Sequence, residues 1–245
     1  YIRNHCFIDN LLYFVSSADL FLKEYEIETG NFQIIYEDET YFVQSYYNDV
    51  FIEALKTTTY STYKAILKYY HDDKEFLTAD GKGMDFVNVS GSKLYYFNAA
   101  DMNITVIADN FMGRSTIYSL DEHEITEVTE LHLIKASYSG ELTFALVAST
   151  TSETALYIYN TVNGLSKVIT GDIKGLNSDG INLYFINGES VYLMNLETSE
   201  INKIADIGSG SRYIIVINHW LYVSNIDQTS LVRINPVTKD IETLS

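Results

Sequence analysis

Any chemistry in this 245-residue chain has to start from five histidines, one cysteine and 33 carboxylates. The histidines, His5, His71, His123, His132 and His219, are scattered, and no two stand at metal-ligand spacing. His71 and His123 fall in acidic runs, Tyr70-His71-Asp72-Asp73 and Asp121-Glu122-His123-Glu124, which read as solvated turns rather than cation sites. Cys6 follows His5, but neighbours on a strand point to opposite faces, so Cys6 reads as a small buried hydrophobe. The run Asn177-Ser178-Asp179-Gly180 looks like part of a calcium loop. Gly175 and Ile186 occupy its first and twelfth positions, which removes the bidentate carboxylate. No G-x-S-x-G, H-E-x-x-H, phosphate-loop or G-x-G-x-x-G pattern occurs. Carboxylate pairs for glycoside hydrolysis are available in number, but their separation in space is not legible here. The expectation is therefore no catalytic residue, no metal ligand set and no cofactor.

The formal charge of −17 sets limits on partners. Such a field repels phosphate backbones and anionic lipid, so nucleic acid is excluded as a partner. No apolar run approaches the length that spans a bilayer, so no membrane insertion is expected within this segment. The acidity serves to keep a surface carrying 21 tyrosines in solution. A single cysteine forms no internal disulfide, which is compatible with bacterial export. A start at Tyr1 rather than Met leads us to expect a removed upstream signal or anchor, and with it an extracellular or cell-surface location. Asn88-Val89-Ser90 and Asn103-Ile104-Thr105 match glycosylation sequons, at a frequency that chance supplies.

The elements that must position these residues repeat. Six apolar-aromatic triplets follow short turns: Leu12-Tyr13-Phe14, Val50-Phe51-Ile52, Leu94-Tyr95-Tyr96, Leu142-Thr143-Phe144, Leu183-Tyr184-Phe185 and Leu221-Tyr222-Val223. Their starts are 38, 44, 48, 41 and 38 residues apart, and a period of about 40 residues built from short strands marks a propeller. A second anchor agrees: Thr29, Asp73, Glu122, Asn163, Thr198 and Thr238 align at one turn position, with an apolar residue shortly after each. Turn pairs such as Asp9-Asn10, Asp179-Gly180 and Asn218-His219 precede the triplets. The expected fold is all-β, a single six-bladed β-propeller of four-stranded antiparallel blades. The blades run approximately over 1–36, 40–79, 83–129, 130–170, 173–206 and 210–245. The stretch Glu53 to Tyr70 is read as a long loop followed by a strand.

Loop length varies between the units. The third unit carries a long excursion from Asn98 to Arg114 and the second carries Lys56 to Tyr63, whereas the fifth turns tightly through Asn187-Gly188. Long loops in compact domains are functional or disordered, so Tyr60, Met102, Phe111, Met112 and Arg114 are the candidate binding residues, all on one face. Trp220 resembles an interface anchor, with a packing role as the alternative. The innermost strands offer mainly Tyr, Ile, Val and Asn, with Asp85 and Arg212 as rare ionisable members.

Ser178-Asp179-Gly180-Ile181-Asn182-Leu183-Tyr184-Phe185 and Trp220-Leu221-Tyr222-Val223-Ser224 are each followed by a Leu/Val-x-x-Ile/Met-Asn block. This pattern resembles the DUF5050-type, low-density-lipoprotein-receptor-like β-propeller group of Gram-positive bacteria. The resemblance implies an exported or surface-anchored protein with no established activity. The Trp-Asp pair of WD40 repeats, the paired glycines of kelch and the sialidase box are absent. The expected function is a non-enzymatic binding scaffold that engages a protein or glycan through one face, as a monomeric domain of a longer protein. The alternative is a carbohydrate-active hydrolase or lyase with its site in the central funnel.

Overall fold

The computed structural model describes residues 2–16, 18–37, 39–46, 49–57, 62–70, 73–79, 84–90, 93–98, 101–108, 113–120, 123–137, 141–225 and 230–244. Among them the chain is all-β, in six four-stranded antiparallel sheets, each pairing its strands in simple sequence order. The first sheet holds β1 (Ile2–Ile8), β2 (Leu11–Ser16), β3 (Leu22–Glu26) and β4 (Phe32–Tyr36). The second holds β5 (Thr40–Tyr46), β6 (Asp49–Thr57), β7 (Thr62–Tyr70) and β8 (Asp73–Ala79). The third holds β9 (Met84–Ser90), β10 (Lys93–Asn98), β11 (Asn103–Ala108) and β12 (Gly113–Ser119). The fourth holds β13 (Glu127–Ala136), β14 (Leu142–Ser149), β15 (Thr154–Asn160) and β16 (Gly164–Thr170). The fifth holds β17 (Ile173–Ser178), β18 (Asn182–Asn187), β19 (Ser190–Asn195) and β20 (Ile201–Asp206). The sixth holds β21 (Ser211–Ile217), β22 (Trp220–Asn225), β23 (Leu231–Ile234) and β24 (Ile241–Thr243). No helix among the described residues is long and apolar enough to cross a membrane.

Two compact units divide the chain, residues 1–121 with the first three sheets and 122–245 with the last three. Within each unit the first strands of successive sheets are neighbours: β1 with β5 and β5 with β9, then β13 with β17 and β17 with β21. These are the inner strands, and every one pairs with its second strand through a register shift. A bulge there bends the strand and sharpens its twist.

Every triplet falls in the second strand of a sheet. Burial explains why these runs are apolar without alternation. In the fifth sheet Leu183 and Phe185 join a core with Ala145, Val147 and Leu156 of the fourth. Tyr184 and Ile186 point the other way, into a core with Ile214, Leu221, Val223 and Ile234 of the sixth. A sheet covered on both faces needs apolar residues at odd and even positions alike. Phe185 also stacks on Tyr192 at 5.6 Å between ring centroids. In the first unit Tyr13, Val15 and Leu22 pack against Val43 and Ile52 of the second sheet.

Three sequence expectations are corrected. The excursion from Asn98 to Arg114 is not a loop: β11 runs through it, with Leu94 opposite Ile107, Tyr95 opposite Val106 and Phe97 opposite Ile104. The β-branched run Ile104-Thr105-Val106-Ile107 pairs with the triplet strand, which is stronger than leaving its amides to solvent. As a result Glu122 does not occupy the turn between third and fourth strands, which comes earlier, between Ala108 and Gly113. Likewise Glu53 to Tyr70 is no long loop but the β6–β7 hairpin, with Ile52 opposite Leu67 and Thr57 opposite Thr62. Finally, β13 begins at Glu127, so an inner strand carries Glu127, Glu130, His132 and Lys135 as well.

Candidate functional site

The two described sequence-selected residues stand at opposite ends of the third sheet, Met102 where the second strand turns into the third and Arg114 just after the turn from third to fourth strand. Met102 sits in the β10–β11 turn, half-buried and with a positive φ of 47°, and its carbonyl accepts the Leu120 amide. Arg114 lies on β12 opposite Ile107. Tyr60, Phe111 and Met112 lie outside the described residues. Nothing in the described part gathers these positions into one site.

In the second unit a cleft forms where the first-to-second and third-to-fourth strand turns of the fourth and fifth sheets meet. Its volume is about 380 Å³. The floor is Ile134 of β13, Ile158 of β15, Met194 of β19 and Leu196, all joined to the core between these two sheets. The rim is polar: Lys135, Glu141, Asn160, Asn163 and Glu197. Ile181, 61% exposed, forms an apolar lip.

Local hydrogen bonding fixes three of the rim turns. Asn160 ends β15; its Oδ1 accepts the amides of Val162 (2.8 Å) and Asn163 (3.3 Å), while its Nδ2 donates to Glu141 Oε1 and Thr143 Oγ1. Asn195 repeats the motif at the end of β19, accepting Glu197 N at 3.0 Å and Thr198 N at 2.9 Å. Asn235 does so again after β23. The asparagine that closes each Leu/Val-x-x-Ile/Met-Asn block is thus the residue that starts the turn, because a short amide can bond its own backbone two and three residues on. Asp179 holds the third rim turn, accepting Ile181 N (2.9 Å), Asn182 N (2.7 Å) and the Tyr184 hydroxyl (2.9 Å). Burial works to raise its pKa, but these donors outweigh it and hold the carboxyl below its ordinary value. Burial and then the bond to Asp179 push the Tyr184 phenol up to about 12.

Below the cleft, the inner strands are stitched together. The shift between Lys174 and Asn177 takes Gly175 and Leu176 out of register with β18. Glu130 of the neighbouring β13 accepts both amides, Gly175 N at 2.8 Å and Leu176 N at 2.9 Å. Gly175 has φ +63°, and a Cβ there would stand 2.7 Å from the Arg212 carbonyl oxygen of β21, so only glycine fits. His132, two residues on, is half-buried, and burial drives its pKa down to about 4, so the ring is neutral.

Two further inner-strand charges have a partner or cover. Lys174 donates to Asp172 at 2.9 Å, and Arg212 is half-buried. His123 lies in a separate shallow depression with Glu124, Thr150 and Lys167. Among the described residues no three His, Cys, Asp or Glu side chains cluster in a way that would hold a metal ion. Trp220 has a packing role, since the Arg233 guanidinium lies 4.6 Å over its ring and donates in turn to Glu242.

No family model and no curated protein sequence matches the chain. Solved structures do match in shape. A chain in the crystal structure of a nidogen–laminin complex superposes with a TM-score of 0.67 at 7% identity, over 95% of this chain and 92% of that one. Saccharomyces cerevisiae Sqt1 gives 0.61 at 13% identity, over 97% and 72%. An oligogalacturonate lyase from Vibrio parahaemolyticus gives 0.59 at 12% identity, over 97% and 75%. The fold is a β-propeller. Identities this low carry the fold and nothing of the chemistry.

Proposed function

We propose that this protein is a non-enzymatic interaction propeller that holds a protein partner at one end of its blades. The observation that carries the reading is the rigid-rimmed cleft with a core-continuous apolar floor, a surface suited to docking rather than to turnover. The likeness to a chain of a nidogen–laminin complex supports it as an analogy of fold. The Glu130 carboxylate, on the inner strand β13, is committed to two backbone amides and is not available as a general base.

In this reading the six sheets are the blades of one propeller, which superpositions covering at least 95% of the chain support. The protein acts at the cell surface, as its resemblance to the DUF5050-type group implies, and does so as a monomeric domain. Residues near Met102, in the turn between β10 and β11, form a second contact.

The test is saturable binding. Immobilised protein is offered the surface proteome of its source, and each captured protein is purified and titrated. A partner with a Kd below ~10 μM is expected, within the range of transient interfaces. Measurable turnover of a polysaccharide, with no saturable protein partner, would refute the reading in favour of the carbohydrate-active alternative. Point variants such as Met102→Ser are suitable at the second contact, because deleting 98–114 would remove β11 from its sheet.

A further inference from the structure

We propose that the cleft between the fourth and fifth sheets takes a short basic and apolar segment of the partner. One large aliphatic or aromatic side chain would sit on the floor of Ile134, Ile158 and Met194, with a lysine or arginine against Glu197 and Glu141. This inference rests on the protein-binding reading above and adds the site and the partner's chemistry.

Size sets the first limit. A volume of about 380 Å³ lies near the lower end of the ~300–1,000 Å³ range of ligand sites, room for one or two side chains. The floor is the open edge of the core cluster itself, so an inserted side chain continues packing already present and removes both surfaces from water. The exposed Ile181 supplies the side wall for that insertion.

Charge decides the partner's sign. Glu141 and Glu197 line the cleft, and Asp179 stands in the same turn as Gly180 and Ile181. Against these three carboxylates stands one ammonium, Lys135, 3.6 Å from Glu141. Glu197 is exposed in its turn and remains open to a cation. The rim therefore shares the sign of the whole chain, at −17, and an acidic segment is repelled both locally and at long range. A glycan is disfavoured for a different reason: none of the described lining residues is aromatic, so among them no ring is offered for a sugar face to stack on. The rim turns are already locked by Asn160, Asp179 and Asn195, so binding orders little that was free.

The experiment uses the full chain and a labelled peptide, Gly-Ser-Lys-Leu-Lys-Phe-Lys-Ser-Gly, followed by fluorescence polarisation at low salt. Two control peptides replace the lysines by glutamate, or the Leu and Phe by serine. Three exposed positions are varied: Glu197→Lys at the rim, Ser166→Trp on the wall, and Glu189→Lys in the β18–β19 turn at the opposite end. The two charge reversals change net charge equally, and thermal unfolding checks that each variant folds. The expected Kd of the first peptide is about 10–100 μM, at least tenfold tighter than either control. Glu197→Lys and Ser166→Trp should each weaken it at least tenfold, and Glu189→Lys less than threefold. Equal weakening by both charge reversals, or no effect of Ser166→Trp, overturns the cleft as the site while leaving a protein-binding propeller intact. Absence of binding by the first peptide overturns the partner chemistry proposed here, and the proteome titration then decides the broader reading on its own.

Discussion

Acid should destabilise this fold through one histidine, by an amount that its environment fixes. His132 lies on the inner strand β13 opposite Ala145, and burial lowers its pKa from 6.5 to about 4. The folded protein thus favours the neutral ring. Above pH 6.5 both folded and unfolded chains carry it neutral, and the contribution is fully present. As pH falls below 6.5 the unfolded chain takes up a proton that the folded chain refuses, so stability drops by about 1.4 kcal/mol per pH unit. The loss levels off near pH 4, where the folded ring protonates too. Across that window the full loss is about 3 kcal/mol, and nearer 2 kcal/mol for a ring that keeps some contact with water. The assay is urea unfolding at half-unit steps from pH 4 to 8, for the natural chain and for His132→Gln. Carboxylate titrations are common to both and cancel in the difference. The difference in unfolding free energy should change steeply between pH 6.5 and 4 and be flat above. A difference that stays constant across the whole range would refute the reasoning.

Other perturbations follow from the same region. Glu130→Gln replaces one acceptor oxygen by an amide donor facing the Gly175 or Leu176 N–H, and should cost about 2 kcal/mol in urea unfolding, with little dependence on salt. Gly175→Ala combines a left-handed backbone with a Cβ 2.7 Å from a carbonyl oxygen, and should cost about 2 kcal/mol or more in the same assay. Arg233→Ala removes the guanidinium from the face of Trp220, the single tryptophan, so the intrinsic fluorescence maximum should move. An unchanged emission spectrum would mean that this stacking does not persist in solution.

The legible part of the fold was the part that repeats. Triplets such as Leu183-Tyr184-Phe185 are apolar at every position because both faces of the sheet are covered, and that leaves a signal within three residues. The turn asparagines Asn160, Asn195 and Asn235 act within two or three residues of themselves, so their spacing could be read directly. The third sheet misled for a physical reason. The run 98–114 contains two Met, a Phe and several small polar residues around four β-formers, and only pairing with Leu94–Phe97 decides that those four are a strand.

The cleft was not legible at all. Its lining comes from 134 to 199, from two sheets, and its floor residues look like ordinary strand residues until the turns stop short of covering them. The sequence cue pointed elsewhere, to the turn around Met102 among others, because length of loop is not the same thing as an uncovered core edge. Glu130 was missed similarly, since a carboxylate 45 residues before the amide it accepts has no sequence signature.

Local interactions and a short period made the sequence sufficient for strand, turn and repeat, because each of those is settled by neighbours within a few residues. The bulges on the inner strands, the Glu130 stitch, the neutral His132 and the open cleft were decided only by tertiary structure. Each depends on what a neighbouring sheet brings within hydrogen-bonding or packing distance, and that distance is set by how the sheets stack and not by their order along the chain.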